Sequence, residues 1–286
     1  MAKVIAATFA LLISSSLQAQ APLTQVQACE KFSSAVVRIE AGGKSIGTGF
    51  LVSEDGYILT AAHVVRDTTG RYFSTIAVSL PNGMTAFPSP LAMTHESVGQ
   101  DFAILKVDGE SNLPFIQLAN SEDMKLGSEA TIIGYPFSAL TTHDKNVSAK
   151  FCLSAQVAAF DFLTEPITII APNGQATKRD VHIDVIYFQG PSVKGISGSP
   201  LISRETGHVL GIVTQKLTGI GPFLSELKEQ TGRGVGGGVE IRGLNPGIAI
   251  NQVITVLDNQ LANGLGAATG IGDPAIALER ARRTPR

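Results

Sequence analysis

Gly47-Thr48-Gly49-Phe50-Leu51-Val52-Ser53-Glu54-Asp55-Gly56-Tyr57-Ile58-Leu59-Thr60-Ala61-Ala62-His63 carries the fold class. It reads as strand, tight turn, strand: two short runs rich in apolar and β-branched residues flank Ser53-Glu54-Asp55-Gly56, where glycine supplies a positive φ without steric cost. Little helical periodicity interrupts it, and the same habit extends outward. Strands are expected over 35–40, 47–53, 57–61, 76–80, 102–107 and 129–133, and after Pro136 over 147–158, 167–171, 182–187, 201–203 and 209–214. Pro172-Asn173-Gly174 reads as a hairpin turn within the second set. Two strand sets of similar size predict an all-β chain of two six-stranded antiparallel β-barrels, spanning 30–135 and 146–262 and linked through 134–145.

The ends read differently. Lys3 followed by an apolar run over 4–13 and small residues near Ala19 has the form of an export leader over 1–20, with cleavage favoured after Ala19. The apolar run is too short to span a bilayer, so no stable membrane insertion is expected once the leader is gone. Val253, Ile254, Leu257 and Leu261 recur at helical spacing behind Asn251, a residue able to cap, so a C-terminal helix is expected over 251–261. A Gly-rich stretch over 217–243 is expected to be a mobile loop, and 263–286 a flexible tail ending in basic residues.

Composition narrows the function classes. The chain has 286 residues, 22 basic and 24 acidic, and loss of Lys3 with the leader makes the remainder slightly more acidic. Nothing in that balance draws nucleic acid. The histidines and the two cysteines, Cys29 and Cys152, show no metal-ligand spacing, so neither a metal nor a cofactor is expected. In an exported chain the cysteines could form a disulfide or stay as separate buried thiols, and sequence leaves both open.

Three segments carry chemistry. Ser197 sits in Gly195-Ile196-Ser197-Gly198-Ser199-Pro200, and a serine hydroxyl acts as a nucleophile only beside a base and near donors for the oxyanion it creates. The flanking glycines let the backbone turn its amides inward, which makes Gly195 and Ser197 the natural donors. Ser199 occupies the last position of G-x-S-x-G, so the α/β-hydrolase elbow does not fit. His63, behind small residues that leave room for an imidazole, is the candidate general base. Asp101 opens an apolar strand, where a carboxylate needs a partner, and it is the candidate that orients the imidazole. Taken singly, each residue also admits a plain structural role.

Taken together, G-T-G-F-L-V with T-A-A-H, D-F-A-I-L-K-V and G-I-S-G-S-P-L resemble the chymotrypsin-like serine peptidases, most closely the bacterial Deg/HtrA-type branch. The resemblance covers roughly 35–261. It implies a secreted or periplasmic serine endopeptidase acting on exported or unfolded proteins and peptides, with His63, Asp101 and Ser197 as its triad. It also implies a substrate pocket lined by Pro191, Val213, Thr214 and Gln215, whose lack of an acidic counter-charge favours small or aliphatic side chains at the cleaved position. Activity is expected to fall as pH drops through about 6–7, where an imidazole takes up a proton. Two positions depart from the family pattern. Ile196 replaces the acidic residue that digestive members use for activation, and Ser199 replaces a second glycine. The chain beyond 261 is too short for the PDZ domain common in that branch, so regulation through one is not expected. A non-catalytic protein-binding module on the same fold is the alternative.

Overall fold

The computed structural model of the protein describes residues 21–43, 45–67, 71–90, 101–120, 123–136, 149–170, 176–191, 193–214, 244–250 and 253. The expected leader, the 217–243 loop, the tail and most of the C-terminal helix lie outside them. Of the expected 251–261 helix, Val253 is described, and it is helical and buried, as is Ile250 just before it.

The quoted hairpin forms as expected. β2 (Ser45–Leu51) and β3 (Tyr57–Thr60) pair antiparallel with Phe50 opposite Leu59. The turn closes through Gly56 N–H to the Ser53 carbonyl at 3.3 Å and Tyr57 N–H to Ser53 Oγ at 3.0 Å. Gly56 has φ +96°, and a Cβ there would meet the Val107 carbonyl at 2.8 Å, so glycine is required on both counts.

Around this hairpin lie β1 (Val36–Ala41), β4 (Ile76–Ser79), β5 (Thr85–Ala86), β6 (Ser89–Pro90) and β7 (Ala103–Lys106). They form one sheet of seven strands in the order β5-β4-β1-β2-β3-β7-β6. β8 (Glu129–Gly134), β9 (Phe151–Ile170), β10 (Ala176–Gln189), β11 (Pro200–Ser203), β12 (Val209–Val213) and β13 (Leu244–Ala249) close into a six-stranded barrel in the order β10-β13-β12-β11-β8-β9. The chain is therefore nearly all β, as expected, with one correction. Among the described residues the first half is a seven-stranded half-barrel rather than a closed six-stranded one. β8, which its position in the chain grouped with the first set, pairs with β9 and β11 in the second. Strand spacing reveals where strands are, whereas long-range pairing decides which sheet they join.

A second difference concerns β9. Two separate strands were expected where one strand of 20 residues runs through Pro166. Proline is tolerated there because β9 pairs with β8 only as far as Gln156, leaving one edge of its far half unpaired among the described residues.

Successive strand residues point to opposite faces, and the first sheet buries both. Val37, Ile39, Leu51, Ile58 and Leu105 fill its own interior. Their neighbours Val36, Phe50, Leu59 and Ile104 join Ile132, Phe188, Leu201 and Ile212 of the barrel in a second core. Near-continuous apolar runs such as Tyr57-Ile58-Leu59 follow from this two-sided burial. The seam between sheet and barrel is thus a packed hydrophobic layer.

A helix that the sequence analysis missed, α1 (Gln25–Phe32), covers one flank of the barrel. Its signal was legible: Thr24 and Gln27 form a reciprocal capping box. Cys29 on α1 is disulfide-bonded to Cys152 on β9 with a Cα separation of 5.9 Å, which resolves the open cysteine alternatives. The 123-residue separation corresponds to about 5 kcal/mol of loop-closure entropy removed from the unfolded chain in the entropic model.

Candidate functional site

Strand register brings the first two candidates together. Thr60, at the end of β3, pairs with Ala103, at the start of β7. Residues just past the end of one strand and just before the start of its antiparallel neighbour therefore share one edge of the sheet. His63 lies in the single turn α2 (Ala62–Val65) after β3, and Asp101 lies two residues before β7. The short helix has no side-chain cap of its own. Instead, the His63 backbone N–H donates to Asp101 Oδ1 at 2.9 Å, while Nδ1 meets Oδ2 at 2.6 Å. A carboxylate only accepts, so Nδ1 carries the proton and Nε2 is left as the basic nitrogen.

Asp101 has a third donor that the sequence analysis did not assign. Thr214, expected as a pocket wall, donates its hydroxyl to Asp101 Oδ2. It follows β12 and is 1 % exposed. The available signal was a hydroxyl at the end of a fully buried strand, which must find a partner. Asp101 and His63 are themselves mostly buried, their side chains being 12 % and 23 % exposed.

Ser197 comes from the barrel. Its loop is held by consecutive turns, Ile196 N–H to the Val193 carbonyl at 3.3 Å and Ser199 N–H to the Ile196 carbonyl at 2.9 Å. Ile196 anchors it in the core with no exposed surface. Gly198 N–H and the Ser199 carbonyl bond to Val213 on β12 at 2.8 and 2.9 Å. Across the seam, Thr48 N–H donates to the Ser197 carbonyl at 2.9 Å. Gly198 has φ +85°, and a Cβ on it would lie 2.0 Å from the Thr48 carbonyl and 2.9 Å from Ala61 N. The serine loop therefore abuts the chain two residues before His63, and only glycine permits that approach.

Ser197 is 4 % exposed. Among the described residues, none accepts a hydrogen bond from the Gly195 or Ser197 amide, and no hydrogen bond joins Ser197 Oγ to His63 Nε2. The departure at Ser199 has a local answer. Ser199 is fully buried, and a Cβ at position 134 would lie 2.2 Å from its Oγ. Gly134 supplies the space that the extra side chain needs.

The remaining pocket candidates are less concentrated. Val213 is buried, Pro191 is exposed and Gln215 lies outside the described residues. Beside them, Asn245 Nδ2 donates to the Gly190 carbonyl at 2.6 Å. On the other side of the serine loop, Tyr135 lies under the Lys150 ammonium, 5.4 Å from its ring centre. Burial pushes the Tyr135 phenol up, with Arg38 opposing, and pushes the Lys150 ammonium down. Among the described residues no group of His, Cys, Asp and Glu side chains could hold a metal ion.

Comparison with known proteins bears on this arrangement. The family model described as a trypsin-like peptidase domain matches residues 47–212. A probable periplasmic serine endoprotease, DegP-like, from Halomonas elongata is 34 % identical over 185 residues, covering 63 % of this chain and 31 % of that protein. The serine protease HTRA1A of Danio rerio is 29 % identical over 278 residues, covering 90 % of this chain and 51 % of its own. The chain spans about a third of the length of the DegP-like relative it matches. Among solved structures, the active form of the Rv3671c protease from M. tuberculosis superposes with a TM-score of 0.56 at 20 % identity, covering 84 % of this chain and 87 % of the other. A serine endoprotease from Yersinia pestis gives a TM-score of 0.54 at 20 % identity, covering 86 % of this chain and 69 % of the other. Both share this architecture of sheet and barrel.

Proposed function

The chain belongs to the trypsin-like peptidase family, and from that premise we propose that it is an exported serine endopeptidase that cleaves unfolded or flexible protein segments through an acyl-enzyme on Ser197. In this reaction Ser197 Oγ attacks the scissile carbonyl while His63 Nε2 takes its proton. Asp101 holds Nδ1–H and stabilises the imidazolium, and the Gly195 and Ser197 amides receive the oxyanion. The imidazolium then protonates the leaving amine. Water, activated by the same nitrogen, releases the acyl group.

The observation that carries this reading is the doubly bonded His63–Asp101 pair, at 2.9 and 2.6 Å, which leaves Nε2 as the only basic ring nitrogen. The serine loop, whose Gly195 and Ser197 amides have no acceptor among the described residues, abuts the same strand end. The hydrogen bond from Ser197 to His63 is the one to form when substrate arrives, since catalytic contacts often tighten only in the complex. Export to a periplasmic or secreted location is supported by the leader-like N-terminus, the disulfide and the relatives named as periplasmic. A pocket bounded by Pro191, Val213, Thr214 and Gln215 supports cleavage after small or aliphatic side chains.

Incubation of the protein with a fluorophosphonate should give a covalent adduct at Ser197, absent in Ser197→Ala. Absence of labelling in folded protein would overturn the reading. The missing Ser197–His63 bond favours one rival, a protein-binding module without turnover. Equal partner binding by wild type and Ser197→Ala, with no cleavage by either, would establish it.

A further inference from the structure

We propose that Thr48 is a positioning residue for the serine loop: its hydroxyl fixes the Gly195 carbonyl and, through it, the direction of the oxyanion-binding amides. The inference rests on the peptidase reading and adds a residue to it.

Thr48 lies in β2, on the sheet that carries His63 and Asp101, yet it bonds mainly to the barrel side. Its N–H donates to the Ser197 carbonyl at 2.9 Å, and its Oγ1 donates to the Gly195 carbonyl at 2.9 Å. The same Oγ1 accepts from the Tyr135 N–H at 3.0 Å. Since an amide can only donate, the direction of both side-chain bonds is settled: the hydroxyl proton goes to Gly195. Its own carbonyl accepts from Thr60 Oγ1 at 2.7 Å, at the end of the strand that leads to His63. Every polar group of a residue with no exposed surface is therefore engaged, and the carbonyls on both sides of Ile196 are gripped by one side chain and its backbone.

The grip matters because Gly195 has φ +100°, a region where glycine rotates with little resistance. Its N–H, one of the two proposed oxyanion donors, lies in the peptide plane before Gly195 and its carbonyl in the plane after it; holding the carbonyl fixes the second plane and restrains the Gly195 rotation that would redirect the first. Valine at 48 fills the same space without the donor. A merely packed residue would tolerate the exchange, and a positioning residue would not.

The test compares the full chain with Thr48→Val and Thr48→Ser, reading the fluorophosphonate labelling rate, kcat and KM on a peptide that wild type cleaves, and the pH profile. Thr48→Val should lower kcat by about 10²-fold, as loss of an oxyanion donor does, with KM and the pH inflection unchanged. Thr48→Ser should restore kcat to within several-fold of wild type. A folded Thr48→Val with kcat near wild type, or a loss that Thr48→Ser shares in full, overturns the proposal. If Thr48→Val does not fold, Thr48→Ala against Thr48→Ser carries the same comparison, and equal kcat in that pair overturns it. Failure of wild type to label would instead remove the peptidase reading, and this inference with it.

Discussion

The two halves of the site are held in place by different physics. The His63–Asp101 half is set by strand register: pairing of Thr60 with Ala103 brings the two residues to one sheet edge, and three donors then converge on the carboxylate. The Ser197 half has no strand of its own. Turns, two positive-φ glycines and the bonds from Thr48 hold it. A registered sheet edge is rigid by construction, because shifting it would expose every buried side chain on two faces. A glycine loop keeps its shape only while its neighbours do, so substitutions near it should act through space and close approach. Those near His63 should act through hydrogen bonding.

The largest expected effect lies on the first side. Asp101→Asn keeps the volume but supplies an amide where an acceptor is needed, so the imidazole takes the wrong tautomer. On the proposed mechanism kcat should fall by about 10⁴-fold with the thermal midpoint nearly unchanged. A loss below about tenfold, measured on folded protein, would show that the pair does not orient the base.

On the serine side, Gly134→Ala should destabilise the protein by roughly 1–3 kcal/mol, since the new methyl would sit 2.2 Å from Ser199 Oγ. Ser199→Gly in the same chain should recover most of that loss in denaturant unfolding. An additive double variant would mean that the two positions do not share one space.

The smallest effect comes from Lys150, over Tyr135. Burial lowers its pKa from 10.5, so the cost of burying the charge is present in full below the folded value and gone above 10.5. The unfolded chain holds the extra proton between those limits, and stability from this group rises with pH there. Tyr135, raised from 10.0 by burial, acts in the opposite sense as pH climbs above that value. Lys150→Met should lack the rising limb, so the difference between wild type and variant isolates the lysine, and an unchanged slope in the variant would show the charge to be solvated.

The local half of this organisation was legible in the chain. The turn at Ser53–Gly56, most strands, and the residues flanking His63, Asp101 and Ser197 follow from period, turn chemistry and motif. The capping box of α1 was equally local and was overlooked because Thr24 and Gln27 lie beside the leader-like segment. The role of Thr214 was less legible, because its partner is 113 positions away.

By itself, the sequence determined a chain of short strands, a pair of cysteines able to bridge, and the residue types that acyl chemistry needs. Tertiary structure alone decided that β8 joins the barrel, that Cys29 meets Cys152, that Gly134 makes room for Ser199 and that Thr48 grips the serine loop. The reason is physical: periodicity and turn residues report interactions within a few positions, whereas each of these contacts depends on register between segments that only a common core brings together.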